Sequence, residues 1–275
     1  MSKTILITGA TDGIGLLTAK TLAKAGHTVV LHGRSADKLE AAATAVGGAP
    51  ETYRADLSRL DEVETLANEI RARHDRIDVL INNAGVFKTD ETRTSEGLDT
   101  RFVVNTFAPF LLTRLLLPII PKDGRVVNLS SAAQAPIDVD AMRGRRALDH
   151  MEAYAQSKLA ITMWTQEMAR SHPAGPVFIV VNPGSLLASK MVKEGFGVAG
   201  NDLSIGADIL CRAALSDEFA TASGRYYDND AGRFAQPHEE TANLAKVAEI
   251  VEAIEAVLSA NPKDNGHDGS ADHEA

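Results

Sequence analysis

The sequence predicts an α/β chain built as a doubly wound, mainly parallel sheet with helices on both faces. Three observations lead there. Short apolar bursts alternate with longer helical patterns along the chain. The bursts are near-continuous, as in strands covered on both faces, rather than alternating apolar and polar. A glycine-rich turn follows the first burst and opens a helix, the place where such sheets make their first βα turn.

Element by element, Ile5-Leu6-Ile7 reads as the first strand and Ile14 to Ala25 as the helix after it. Thr28 to Leu31 and Ser35 to Val46 repeat the unit. Asp61 to His74 puts Val63, Leu66, Ala67 and Ile70 on one helical stripe. Val79-Leu80-Ile81, Val126-Val127 and Val177 to Val181 are the later strands. The longest apolar run, Phe107 to Ile120, is broken by Thr113, Arg114 and Pro118 and falls short of the ~18 residues of a membrane span. No span is expected. Met1-Ser2-Lys3-Thr4 leads straight into a strand with no leader-like pattern, so the expected location is cytoplasmic. Residues 135–150 read as an irregular insertion and 261–275 as a solvated tail. Residues 1–260 are expected to form a single domain that includes a substrate lid at about 186–205 and a C-terminal helix. That helix carries Leu244, Val247, Ile250, Val251, Ile254 and Leu258 on one side. Packing on its own domain is favoured; a partner subunit or the cleft could also take that side.

Composition narrows the function. The 275 residues are 44% hydrophobic, which excludes wholesale disorder. A net charge of −9 argues against sequence-independent nucleic-acid binding. The single cysteine, Cys211, allows neither an internal disulfide nor a Cys-rich zinc site. No metal is expected, although His267 and His273 in the tail could bind one weakly.

The turn Thr8-Gly9-Ala10-Thr11-Asp12-Gly13-Ile14-Gly15 lets backbone approach an anion at a helix N-terminus, suited to a pyrophosphate. Strand two ends Leu31-His32-Gly33-Arg34. Gly33 cannot bind a ribose diol as an acidic residue would, whereas Arg34 offers a fork for a 2′-phosphate, with Lys38 near the same charge. A solvated Arg and Lys at a helix start would look the same, and His32 reads as a strand-edge residue. Tyr154 and Lys158 share one helix face at i,i+4. A neighbouring ammonium lowers a phenol pKa, so the pair suits proton transfer. Ser130 and Ser131 end a strand, where a hydroxyl could polarise a carbonyl or cap the next segment.

Together these residues resemble the short-chain dehydrogenase/reductase family over about residues 3–232. The motif T-G-x-x-x-G-I-G stands as Thr8 to Gly15. Asp56-Leu57 resembles the adenine-contact pair, and Asn82-Asn83-Ala84-Gly85 the N-N-A-G motif. Asn105 resembles the asparagine of a proton relay, Ser131, Tyr154 and Lys158 the catalytic set, and Pro183-Gly184 the turn beside a nicotinamide. The 23-position gap from Ser131 to Tyr154 and the stretch Ser223 to Asp228 resemble the retinol-dehydrogenase and WW-domain-oxidoreductase branch. The resemblance implies a Rossmann fold and NADP(H) rather than NAD(H). The implied cofactor contacts are Thr8, Gly9, Thr11, Asp12, Gly13, Ile14, Gly15, Arg34, Lys38, Asp56, Leu57, Asn82, Ala84, Gly85, Tyr154, Lys158, Pro183 and Gly184. The implied activity interconverts a small-molecule alcohol with a ketone or aldehyde. Ala188 stands where the family often has threonine, with Ser189 next. An epimerase or dehydratase shares the Tyr-Lys pair but usually carries G-x-x-G-x-x-G. A non-catalytic NADP(H) sensor would not need Ser131, Tyr154 and Lys158 together. A homo-oligomer is compatible with the sequence.

Overall fold

The computed structural model describes residues 1–187 and 200–260. Eight strands form one sheet in the order β3-β2-β1-β4-β5-β6-β7-β8. They are β1 (Thr4–Ile7), β2 (Thr28–Gly33), β3 (Glu51–Arg54), β4 (Val79–Asn82), β5 (Arg125–Leu129), β6 (Val177–Asn182), β7 (Tyr226–Asp228) and β8 (Arg233–Ala235). All neighbours pair in parallel except β7 with β8. The order reverses between β1 and β4, and a crevice opens there at the carboxyl ends of the strands.

Alternation along the buried strands divides the core between the two faces. Ile5, Ile7, Val29, Leu31, Val127 and Ile179 pack with α1 (Gly13–Lys24), α2 (Ala36–Val46) and α8 (Leu203–Leu215). Leu6, Val30, Leu80, Val126 and Phe178 pack with α3 (Leu60–Arg73), α5 (Ala108–Leu116), α7 (His150–Ser171) and α9 (Leu244–Ala260). The doubly wound Rossmann architecture is thus present, in one domain. In α9, Val247, Ile250 and Ile254 are buried in the chain's own core, while Leu244 is exposed.

The five apolar bursts are β1, β2, β4, β5 and β6. The strands without a burst, β3, β7 and β8, are three or four residues long, and only Tyr53 of β3 is buried. A second difference lies in residues 135–150. There Ile137 and Met142 are buried, and α6 (Val139–Met142) forms under an Asp138 cap that accepts from the Asp140 and Ala141 N–H groups. The segment is irregular apart from this one helical turn. A third concerns the apolar run. The helical stretch Thr100–Ile119 is long and apolar enough to cross a membrane, and most of it is buried inside the fold. It comprises α4 (Thr100–Phe102), a π-helical turn (Val103–Phe107), α5 and a 3-10 turn (Leu117–Ile119). The Ala188 and Ser189 positions, most of the expected lid, and the tail with its histidines lie outside the described residues.

Candidate active site

A cleft of about 360 Å³ runs along the carboxyl ends of the strands, from Arg34 and Lys38 at its mouth to Tyr154 and Lys158 inside. Its outer half is built from backbone. Asp12 caps α1 and accepts the Gly13 N–H at 2.7 Å. Gly9 and Gly13 have φ of +65° and +52°, the left-handed region that favours glycine. A Cβ on Gly15 would sit 2.4 Å from the Gly9 carbonyl oxygen, and one on Gly33 would sit 2.4 Å from Thr11 Cγ2. Only glycine therefore allows this closeness of loop, helix and strand end.

Thr8 and Asn82 do not line the cleft but hold its frame. Thr8 Oγ1 accepts the N–H groups of Asn83 and Ala84, each at 3.1 Å. Asn82 is buried and donates to Thr113 at 3.0 Å and to Asn128 at 2.7 Å. The neighbour that does line the cleft is Asn83, which donates to the Thr8 and Gly9 carbonyls at 2.8 and 3.0 Å. Its signal was present in the N-N-A-G motif, one position along. His32 differs from a strand-edge residue. It is buried in β2, the second strand from the sheet edge; its Nε2 lies 3.1 Å from the Ala55 carbonyl, and its Nδ1 accepts the Gly9 N–H at 3.3 Å. That pattern fits the neutral ring, and burial holds its pKa down to about 4.

The groups present fit a phosphorylated dinucleotide. Gly9, Gly13 and Gly15 line the cleft with bare backbone at the start of α1, where a phosphate is favoured. Two carboxylates line the cleft. Asp12 is engaged with Gly13, and Asp56 accepts from the Ser58 N–H and hydroxyl at 2.9 and 2.8 Å. Arg34 and Lys38 are exposed and make no ion pair among the described residues. Ile14, Leu57, Ala84, Gly85 and Pro183 complete the lining contributed by expected residues. Gly184 lies outside it, with a φ of +122° in the turn after β6. Ala55, Val86, Val104, Leu129 and Ser130 also line the cleft, and no motif marked them as nucleotide contacts.

The inner half is a buried polar network. Helix α7 starts with a capping box between Asp149 and Glu152, a device worth about 1 kcal/mol. It carries Tyr154 and Lys158 on one face. Lys158 Nζ donates to the Leu129 carbonyl at 2.8 Å and lies 5.7 Å from the Tyr154 ring centroid. Burial pushes the Lys158 pKa down to about 8. Burial also raises the Tyr154 phenol above its usual range, and a hydrogen bond with the Ser131 side chain pulls it back in part. Ser131 is thus the side chain that favours the phenolate. Phe87 packs edge-on to the Tyr154 ring, with centroids 5.2 Å apart.

Beneath them, Ser130 Oγ donates to the Lys158 carbonyl at 2.8 Å and meets Thr162 Oγ1 at 2.9 Å. Asn128 donates to Thr165 Oγ1 at 2.9 Å. Ser130 therefore ties β5 to α7, while Ser131 is the serine that reaches Tyr154. Asn105 stands in the π-helical turn. Its Oδ1 accepts the Val86 N–H at 2.8 Å, and its Nδ2 donates to the Val86 carbonyl and Ser157 Oγ, each at 2.9 Å. A side-chain amide here pairs with the β4 exit as a neighbouring strand would. A Gly85 Cβ would sit 3.3 Å from Asn105 Oδ1 and 3.5 Å from Lys158 Nζ, so the three residues meet at one point.

A nucleotide cleft at the switch point of a parallel sheet, with a half-buried phenol and a buried amine at its inner end and the Ser131 hydroxyl beside them, defines a nucleotide-binding oxidoreductase. The chain belongs to the short chain dehydrogenase family, whose model matches residues 3–196. Within that family it stands with the retinol dehydrogenases. It is 32% identical over 271 residues to human Retinol dehydrogenase 13, covering 89% of this chain and 81% of that one. It is 36% identical to a Streptomyces sp. (strain C5) protein provisionally named daunorubicin C-13 ketoreductase, covering 93% and 92%. A Shigella flexneri 2a protein, provisionally named a short chain dehydrogenase and solved in complex with NADP, is 28% identical with a TM-score of 0.66. The match covers 83% of this chain and 97% of that one.

Proposed function

We propose that the protein is an NADP(H)-dependent oxidoreductase that interconverts an alcohol with a ketone or aldehyde, using Tyr154 as the proton donor and acceptor. The observation that carries this reading is one cleft with exposed cations at one end, which make no ion pair among the described residues, and a half-buried phenol at the other. Arg34 and Lys38 suit a 2′-phosphate, and no carboxylate stands at the end of β2 to favour a ribose diol. The NADP-bound Shigella flexneri relative supports the same choice.

When bound, the nicotinamide supplies the two-electron reducing equivalent. The chain's residues do the rest. In the reducing direction, the Ser131 and Tyr154 hydroxyls bond the carbonyl oxygen, and Tyr154 delivers the proton to it. Burial keeps Tyr154 protonated and so ready to give. The Lys158 ammonium, fixed on the Leu129 carbonyl, favours the phenolate that remains and would hold the nicotinamide ribose. A water beside Asn105 reloads the phenol. Residues 1–260 act as one unit. The ketone substrate implied by the Streptomyces relative's name and the retinoid implied by the human one both fall within this class.

The test is titration of purified protein with NADPH and NADH, followed by cofactor oxidation against a panel of aldehydes, ketones and quinones. Turnover with NADPH strongly preferred is the expected result. Tight NADPH binding with no turnover on any member of the panel would promote the sensor reading, and binding of neither nucleotide would overturn both.

A further inference from the structure

We propose that Tyr226 and Gln134 are positioning residues for Ser131, clamping its main-chain carbonyl so that its hydroxyl stays on the Tyr154 phenol; this rests on the proton-transfer reading above. Ser131 leaves the end of β5 in a loop, where nothing in the strand ladder fixes its side chain. Two donors from elsewhere converge on its carbonyl oxygen. Tyr226 Oη donates at 3.2 Å and Gln134 Nε2 at 2.9 Å. On the side chain, the Ala133 N–H donates to Ser131 Oγ at 3.1 Å. That bond occupies one lone pair of the hydroxyl and leaves its proton for the phenol.

The clamp is itself held. Tyr226 belongs to β7, which pairs with β6, so its ring reaches past β6 to the end of β5. It is buried, and burial with Asp228 and Asp230 nearby raises its hydroxyl far above the usual range. It therefore stays a donor across the working pH range. Gln134 Oε1 accepts the His238 N–H at 3.2 Å, at the start of the 3-10 turn Glu239–Ala242. Its Nε2 also reaches Ser130 Oγ at 3.4 Å. β7 and the C-terminal strap that begins at His238 thus both reach the Ser131 carbonyl, one through Tyr226 and the other through Gln134. A shift of a few tenths of an ångström in Ser131 would lengthen its bond to Tyr154, and a donor bond to a phenolate is sensitive to such a change.

The test is a double-mutant cycle on the full chain, with NADPH and the best carbonyl of the panel. Tyr226→Phe keeps the ring and removes the donor. It is expected to lower kcat roughly three- to tenfold, as for one hydrogen bond, with NADPH affinity unchanged. In a Ser131→Ala background the same change is expected to cost nothing further. The alkaline limb of the reduction profile should also move to higher pH in Tyr226→Phe. A displaced Ser131 no longer stabilises the Tyr154 phenolate, and the phenol pKa rises. Gln134→Met should give the same signature and serves if Tyr226→Phe does not fold. An equal loss with and without the Ser131 hydroxyl, or an unmoved alkaline limb, overturns the inference. Full turnover by Ser131→Ala alone would instead sink the proton-transfer reading, and the clamp with it.

Discussion

The two ends of the cleft are built differently. The outer end is made of close-packed backbone, with exposed cations that make no ion pair among the described residues. The inner end is made of buried side chains bonded to one another, from Asn82 through Asn128 to Thr165 and from Ser130 to Thr162. The difference separates two kinds of sensitivity. A change at the mouth is expected to alter which nucleotide is held and to leave folding alone. A change in the inner network orphans buried polar groups, so it costs stability along with activity.

His32 tests where that boundary falls, because it is the buried titratable group at the outer end. Its folded pKa of about 4 lies below the usual 6.5 of the unfolded chain. Between those values the unfolded chain binds a proton that the folded chain does not. The contribution is complete above about pH 6.5 and is lost as pH falls towards 4, by roughly 3 kcal/mol. Urea unfolding between pH 7 and 4 should show that slope, and His32→Gln should flatten it. An equal slope in the variant would place the acid sensitivity elsewhere.

A smaller loss is expected from Asn128→Ala, which takes one of two partners from the buried Asn82 amide and one from the buried Thr165 hydroxyl. Unfolding free energy should fall by roughly 2–3 kcal/mol. An unchanged midpoint would mean that the inner network is not under the tension of burial that separates it from the mouth. The smallest effect on the fold is expected at Arg34. Arg34→Glu should raise the NADPH KM about tenfold or more, leave the NADH KM nearly unchanged, and keep the melting temperature. A cofactor ratio that does not move would remove the 2′-phosphate role from Arg34.

The same division explains what could be read in advance. The glycine turn, Arg34, Lys38, Asp56 and Leu57 are local motifs beside strand ends, and each lines the cleft. Tyr154 and Lys158 are one helical turn apart, so their meeting needed only a helix. Thr8 and Asn82 carried the right motif but face the frame. A strand end turns successive side chains to opposite sides, and Asn83 took the cleft. His32 was misread because β3, which buries it, has no apolar burst. Lys158, Thr162 and Thr165 form a polar row at i, i+4 and i+7 on the buried side of α7, a signal that could have revealed the lock on β5. Tyr226 and Gln134 gave no such sign. They meet Ser131 only once β7 and the strap have folded back across the sheet, 95 residues from Ser131 in the case of Tyr226.

The most direct test of the central claim is single-turnover oxidation of bound NADPH by a carbonyl substrate, in the wild type and in Tyr154→Phe. NADPH should bind both with the same Kd, and the rate in the variant should fall by about 10²- to 10⁴-fold, the range for loss of a general acid. A variant that turns over at the wild-type rate would contradict the account.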